Sequence, residues 1–149
     1  MGKINWGRVI LGTIISGIAL DFLEGKVTGM VLDGRMLDEL RSRGPLPHFG
    51  AGTIVFFTAW GFIIGFISMW LYAGVRPRFG AGPRTAIGVA IAVWVLYGLL
   101  PHIGEAFLGI FSMDLMVKFS LLLLLWQVIA TLLGAWVYKE GSASPPSNV

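Results

Sequence analysis

Two histidines, His48 and His102, are the side chains best suited to hold a metal or pigment, and each ends a Leu-Pro-His sequence. Imidazole is the usual axial ligand of haem iron, and it can equally ligate the magnesium of a chlorophyll. Residues beside proline at helix ends more often bond local backbone, so the expectation is no cofactor, with haem or chlorophyll as the alternative. Four carboxylates, Asp21, Glu24, Glu105 and Asp114, gather at the ends of apolar runs. Ionisable groups near a membrane core are expensive and are candidates for a proton or cation path. No Lys, Arg, Asp or Glu falls inside the intervals 9–20, 50–75, 85–104 and 119–138, so these acids are expected in water at the interface, with nothing charged at mid-depth. Gln127, beside Trp126, is the one large polar group expected there, suited to a hydrogen bond between helices.

Other chemistry lacks its residues. The chain has no cysteine, which removes disulfides and thiolate metal sites, and no Gly-x-Ser-x-Gly, His-Glu-x-x-His or phosphate-binding loop. No enzymatic activity is expected.

The elements that must position these residues follow from hydropathy. Hydrophobic residues make up 56% of the 149-residue chain and charged residues only 13%, a balance outside the soluble class. A helix needs roughly 20 apolar residues to cross ~30 Å of hydrocarbon. Three runs qualify outright. The first, 9–20, spans only if Arg8 snorkels to one surface and Asp21 lies near the other. A secretory signal is the rival reading, but Asp21-Phe22-Leu23-Glu24 is a poor sequel to a cleavage site. The expected fold is therefore an all-α membrane protein of four transmembrane helices, 4–23, 50–74, 85–104 and 114–138, in one domain over 1–140. Residues 141–149, with Ser-Pro-Pro-Ser, read as a flexible tail.

Within the outer connection 24–49, Asp33 reads as an N-cap and Gly44-Pro45 as a stop for a short helix on the membrane surface or packed on the bundle end. Small-residue pairs at four-residue spacing, Gly12/Ser16, Gly61/Gly65 and Ala130/Gly134, predict close helix packing, with Gln127 as polar glue.

The second and fourth runs share Trp-x9-Trp-x-Tyr, as Trp60, Trp70, Tyr72 and Trp126, Trp136, Tyr138, an offset of 66. The first and third align at an offset of 76 through Arg8/Arg84, Gly12/Gly88, Leu20/Leu96 and Leu23/Leu99. Each half then reads as a helix hairpin, and two parallel copies imply a pseudo-twofold axis along the membrane normal. The alternative is chance matching between apolar segments. One end carries Lys3, Arg8, Arg76, Arg78, Arg84 and Lys139 against the single acid Glu140, and the short basic turn at Arg76 and Arg78 assigns that end to the cytoplasm. Trp6, Trp70, Tyr72, Trp136 and Tyr138 are expected as its aromatic belt. Trp60, Trp94 and Trp126 are left near mid-depth, for internal packing or for contact with a pigment or neighbouring subunit.

The run Trp70-Leu-Tyr-Ala-Gly-Val-Arg-Pro-Arg-Phe-Gly, with Asn5-Trp-Gly-Arg-Val-Ile-Leu-Gly near the start, resembles a group of small uncharacterised bacterial four-helix membrane proteins. The resemblance implies a fold type and no activity. Small size, no charge at mid-depth and no catalytic motif favour a non-catalytic subunit of a larger membrane complex, such as an energy-converting one, in the bacterial inner membrane with both termini cytoplasmic. The partners are then lipid and other subunits or a second copy, with no nucleic acid. A small homo-oligomeric transporter or channel is the alternative, and a haem or chlorophyll binder a second one.

Overall fold

The computed structural model describes residues 4–32, 34–46 and 50–139. These residues form five helices, α1 Trp6–Val31, α2 Arg35–Arg41, α3 Ala51–Phe79, α4 Pro83–Phe107 and α5 Met113–Val137, and no strand among the described residues. All but α2 are long and apolar enough to cross a membrane, which makes this a multi-pass membrane architecture. His48 and Asp33 lie outside the described residues, as do Lys3 and 140–149.

The first helix departs most from expectation. It runs on past residue 23 to Val31, carrying Glu24 and Lys26 inside it rather than in the outer connection. Hydropathy stops at the first charge, but nothing between Asp21 and Val31 stops a helix: there is no proline, and the backbone stays right-handed. One π-turn over Leu23–Val27 absorbs an extra residue, with the Thr28 N–H donating to the Leu23 carbonyl five residues back. A second π-turn, Val95–Leu99, interrupts α4, and here the cause is readable. Pro101 has no N–H for the Tyr97 carbonyl four residues back, and its ring crowds that carbonyl, so the helix widens just before it.

Helix α1 packs on both α3 and α5, and α4 packs on α5. The close approaches are made where side chains are missing. A Cβ on Gly12 would lie 2.9 Å from the Gly134 carbonyl oxygen, and one on Gly134 would lie 2.8 Å from that of Gly12. A Cβ on Gly65 would lie 3.0 Å from the Gly17 nitrogen. Gly12, Ser16, Gly61, Gly65, Ala130 and Gly134 are all buried at helix contacts. Since lipid is as apolar as leucine, such close packing is what holds these helices together.

The first residues of α1, the α3–α4 turn and the last residues of α5 meet at one end. The Asn5 N–H donates to the Tyr138 hydroxyl at 3.3 Å, and the Gly82 N–H donates to the Tyr72 hydroxyl at 3.2 Å. The two tyrosines sit edge to face, 5.9 Å between ring centres. Trp6, Trp70 and Trp136 are exposed, as a belt requires, but Tyr72 and Tyr138 are not part of it. They are 2% and 4% exposed because their hydroxyls cap backbone N–H groups inside the bundle. The Arg76 guanidinium lies over the Tyr138 ring at 5.4 Å, whereas Arg78 is exposed.

At the other end α2 is docked on the bundle rather than lying free on a membrane surface. Arg35 pairs with Asp114 at 3.1 Å, Arg43 donates to the Gly109 carbonyl, and Met36 packs against Leu32, Leu115 and Met116. Ser112 caps α5 and is itself held by Glu39, which accepts from its N–H at 2.8 Å and from its hydroxyl. Those bonds hold the Glu39 carboxyl below its ordinary 4.5.

Gly134→Ala places a methyl against the backbone of α1, so it is expected to cost about 1–3 kcal/mol in denaturant unfolding in mixed micelles. Gly88→Ala, where an added Cβ meets nothing within 4 Å, is the control and should cost nothing. Equal stability of the two variants would refute the close α1–α5 contact.

Candidate functional site

Polar side chains from all four long helices meet inside the bundle. Tyr97 lies two residues beyond Val95, the centre of α4, and Gln127 two beyond Leu125, the centre of α5, so each is about 3 Å from mid-length. The Gln127 side chain is fully buried. Its Nε2 donates to the Ser68 hydroxyl of α3 at 2.8 Å and to the Thr131 hydroxyl at 3.1 Å, while its Oε1 accepts from the Tyr97 hydroxyl at 3.2 Å. The Ser68 hydroxyl in turn donates a hydrogen bond to the Ile64 carbonyl at 2.8 Å. An amide offers two donors and an acceptor carbonyl, and Gln127 uses both donors and accepts once.

The Tyr97 hydroxyl also lies 3.0 Å from Oε1 of Glu24. This carboxyl, expected in water at the interface, is instead partly buried on the π-turn of α1 and bonded to a side chain from the middle of α4. Both groups that meet here sit on π-turns, which alter the direction in which side chains leave a helix and recur at functional sites. Asp21, one turn earlier, faces α3 at Gly61, where an added Cβ would come within 2.0 Å of its Oδ1. Gly61 therefore makes room for a carboxylate as well as for a helix. Beside the cluster, Trp126 donates to the Thr28 hydroxyl at 2.9 Å and Trp94 to the Ser120 carbonyl at 2.8 Å.

The hydrogen count gives this cluster its chemistry. A phenol has one proton, and Tyr97 faces two acceptors. With Glu24 ionised, the phenol donates to the carboxylate or to the Gln127 carbonyl, and the other acceptor loses its donor. With Glu24 protonated, the carboxyl donates to the Tyr97 oxygen and Tyr97 donates on to Gln127, so every member is satisfied. A polar group without a partner in such surroundings is costly. The pattern of bonds between α1, α4 and α5 thus follows the proton on Glu24.

Of the two histidines singled out for ligation, His102 is the one described, and it does not join this cluster. His102 holds Oε2 of Glu105 through Nδ1 at 2.9 Å and meets Phe119 in a T-shaped contact, 4.8 Å between ring centres. Among the described residues no group of three His, Cys, Asp or Glu side chains is placed to hold a metal ion. Trp60 is exposed and stacks on Phe56, while Trp94 and Trp126 serve internal hydrogen bonds.

Gln127 was legible in sequence as mid-depth polar glue, but Tyr97 was not singled out. Its signal was Pro101, four residues on, which had to disturb the turn that begins at Tyr97. Fold and site together describe a multi-pass helical membrane protein with a carboxyl-bearing polar cluster inside its bundle. Comparison with protein-family models, curated proteins and solved structures found no match.

Tyr97→Phe removes one hydroxyl but takes the partner from two groups. It is expected to lower the unfolding free energy by about 1–3 kcal/mol, above the ~0.6 kcal/mol average for a hydrogen bond between membrane helices. A loss at or below that average, measured by unfolding in mixed micelles, would mean that the phenol does not bridge Glu24 and Gln127.

Proposed function

We propose that this chain is a small homo-oligomeric membrane transporter that carries protons through Glu24. The observation behind this reading is the single Tyr97 proton shared between Glu24 and Gln127. Proton uptake at Glu24 changes which helices are bonded to each other, and the π-turns of α1 and α4 are the points at which those helices can bend. That is the minimum equipment for coupling a proton to a movement of helices. The preference for a non-catalytic subunit rested on small size, no charge at mid-depth and no catalytic motif, and Glu24, bonded to Tyr97 inside the bundle, weakens the second of these grounds.

A second reading has its own observation. In the first third of α3, residues 51–60 are exposed except for Thr53, and Phe56 stacks on Trp60 and meets Phe57 edge to face. In a subunit of a larger membrane complex, that face would meet a partner. We also propose an internal duplication. The paired bonds from Asn5 to Tyr138 and from Gly82 to Tyr72 join the start of each half to the end of the other, as a twofold axis between the two tyrosines requires. The proposed orientation keeps both termini cytoplasmic in a bacterial inner membrane, from the basic end of the bundle.

The test is gentle extraction with native-mass analysis, followed by reconstitution into liposomes holding a pH-sensitive dye. A homo-oligomer that dissipates an imposed pH gradient is expected. Glu24→Gln should abolish the flux, and Tyr97→Phe should slow it roughly tenfold, the equivalent of one hydrogen bond of about 1.4 kcal/mol. Liposomes no leakier than empty ones would overturn the transport reading, as would undiminished flux in Glu24→Gln. Co-purification at fixed stoichiometry with other membrane subunits, without flux, would establish the second reading instead.

A further inference from the structure

We propose that the groove between α3 and α4 binds an anionic phospholipid, one acyl chain lying in the groove and the headgroup phosphate held by Arg84 and Arg78 at its rim. The groove has a volume of about 470 Å³. Leu71, Val75 and Phe79 recur every four residues along α3, and Thr85, Gly88 and Ala92 every three to four along α4, so each helix contributes one stripe to a slot that runs along the bundle. The slot exists because α3 and α4 pack more loosely than α1 on α3 or α4 on α5. Its floor is open at Gly88, where an added Cβ would meet nothing within 4 Å.

Chemistry changes only at the end nearest the α3–α4 turn. Arg84 lines the groove there, and the Arg78 guanidinium lies 6.0 Å from the centre of the Phe79 ring. Both arginines are exposed, and residues 76–84 include no acid. The Thr85 hydroxyl is spent on the Phe79 and Gly80 carbonyls, so it shapes the rim and leaves the charge to the arginines. An apolar slot parallel to the helices, ending in two cations where the helices end, matches an acyl chain attached to a phosphate at the membrane surface. The positive rim selects an anionic lipid over a zwitterionic one, and a soluble phosphate would leave the slot unused. This inference is independent of Glu24, which lies elsewhere in the bundle.

The test uses the whole chain in nanodiscs containing phosphatidylglycerol and phosphatidylcholine with identical acyl chains, with the retained lipid read by native mass spectrometry. One phosphatidylglycerol should be retained in preference to phosphatidylcholine. Arg84→Gln should lower that preference about fivefold, and Arg78→Gln with Arg84→Gln about 25-fold, at roughly one fivefold factor per guanidinium near a membrane surface. Gly88→Leu should displace both lipids, and glycerol phosphate should not bind. The arginine variants lie at exposed positions and keep the test valid if Gly88→Leu disturbs packing. Equal retention of the two lipids would overturn the proposal, as would retention unchanged in the double arginine variant or binding of glycerol phosphate.

Discussion

Gln127 is fully buried near the centre of α5, a place where water offers no partner for its amide. Its needs fix much of the surrounding structure. The amide nitrogen requires acceptors, and Ser68 and Thr131 supply them, which sets the register of α3 against α5. Its carbonyl requires a donor, and Tyr97 reaches it from α4. Tyr97 in turn brings in Glu24 from α1. One amide therefore links all four long helices through hydrogen bonds whose breakage would leave polar groups stranded in an apolar interior.

Those bonds form only because the backbones come close. Gly12 against Gly134 and Gly17 against Gly65 bring α1 against α5 and α3 to a distance that any Cβ would prevent. Packing and polar bonding are thus two halves of one arrangement. Without the glycines the polar groups do not meet, and without the polar groups nothing chooses among the many ways in which apolar helices can slide past one another. The ends of the bundle are closed by different means. At one end Tyr72 holds the α3–α4 turn and Tyr138 the residue before α1, and at the other α2, with Arg43 just beyond it, clamps the α4–α5 turn and the start of α5 through Arg35, Glu39 and Arg43.

Four long helices, the small-residue contacts and the bridging role of Gln127 can be read from the sequence because each depends on composition along a single helix. The length of α1 cannot be read that way. Hydropathy treats Asp21 and Glu24 as the edge of the membrane, whereas the structure shows their helix continuing, with a π-turn that aims Glu24 inward. The inward turn of Tyr72 and Tyr138 was hidden for a related reason. A tyrosine two residues from a tryptophan at a helix end looks like a belt residue until a backbone N–H from a distant segment, at Gly82 or Asn5, is found waiting for its hydroxyl. Tyr97 has no distinguishing neighbour in sequence except Pro101, and its partners come from helices 73 and 30 residues away. Sites assembled across helices are visible only once the helices are in register.

The central claim is that Glu24 exchanges a proton within the bundle while bonded to Tyr97. Infrared difference spectroscopy of the protein in lipid, recorded between acidic and alkaline buffer, observes that proton directly through the carbonyl stretch of the neutral acid. A protonated-carboxyl band that comes and goes with pH, shifts in Tyr97→Phe and is missing in Glu24→Gln is the expected result. Spectra of wild type and Glu24→Gln that coincide in this region would contradict the claim.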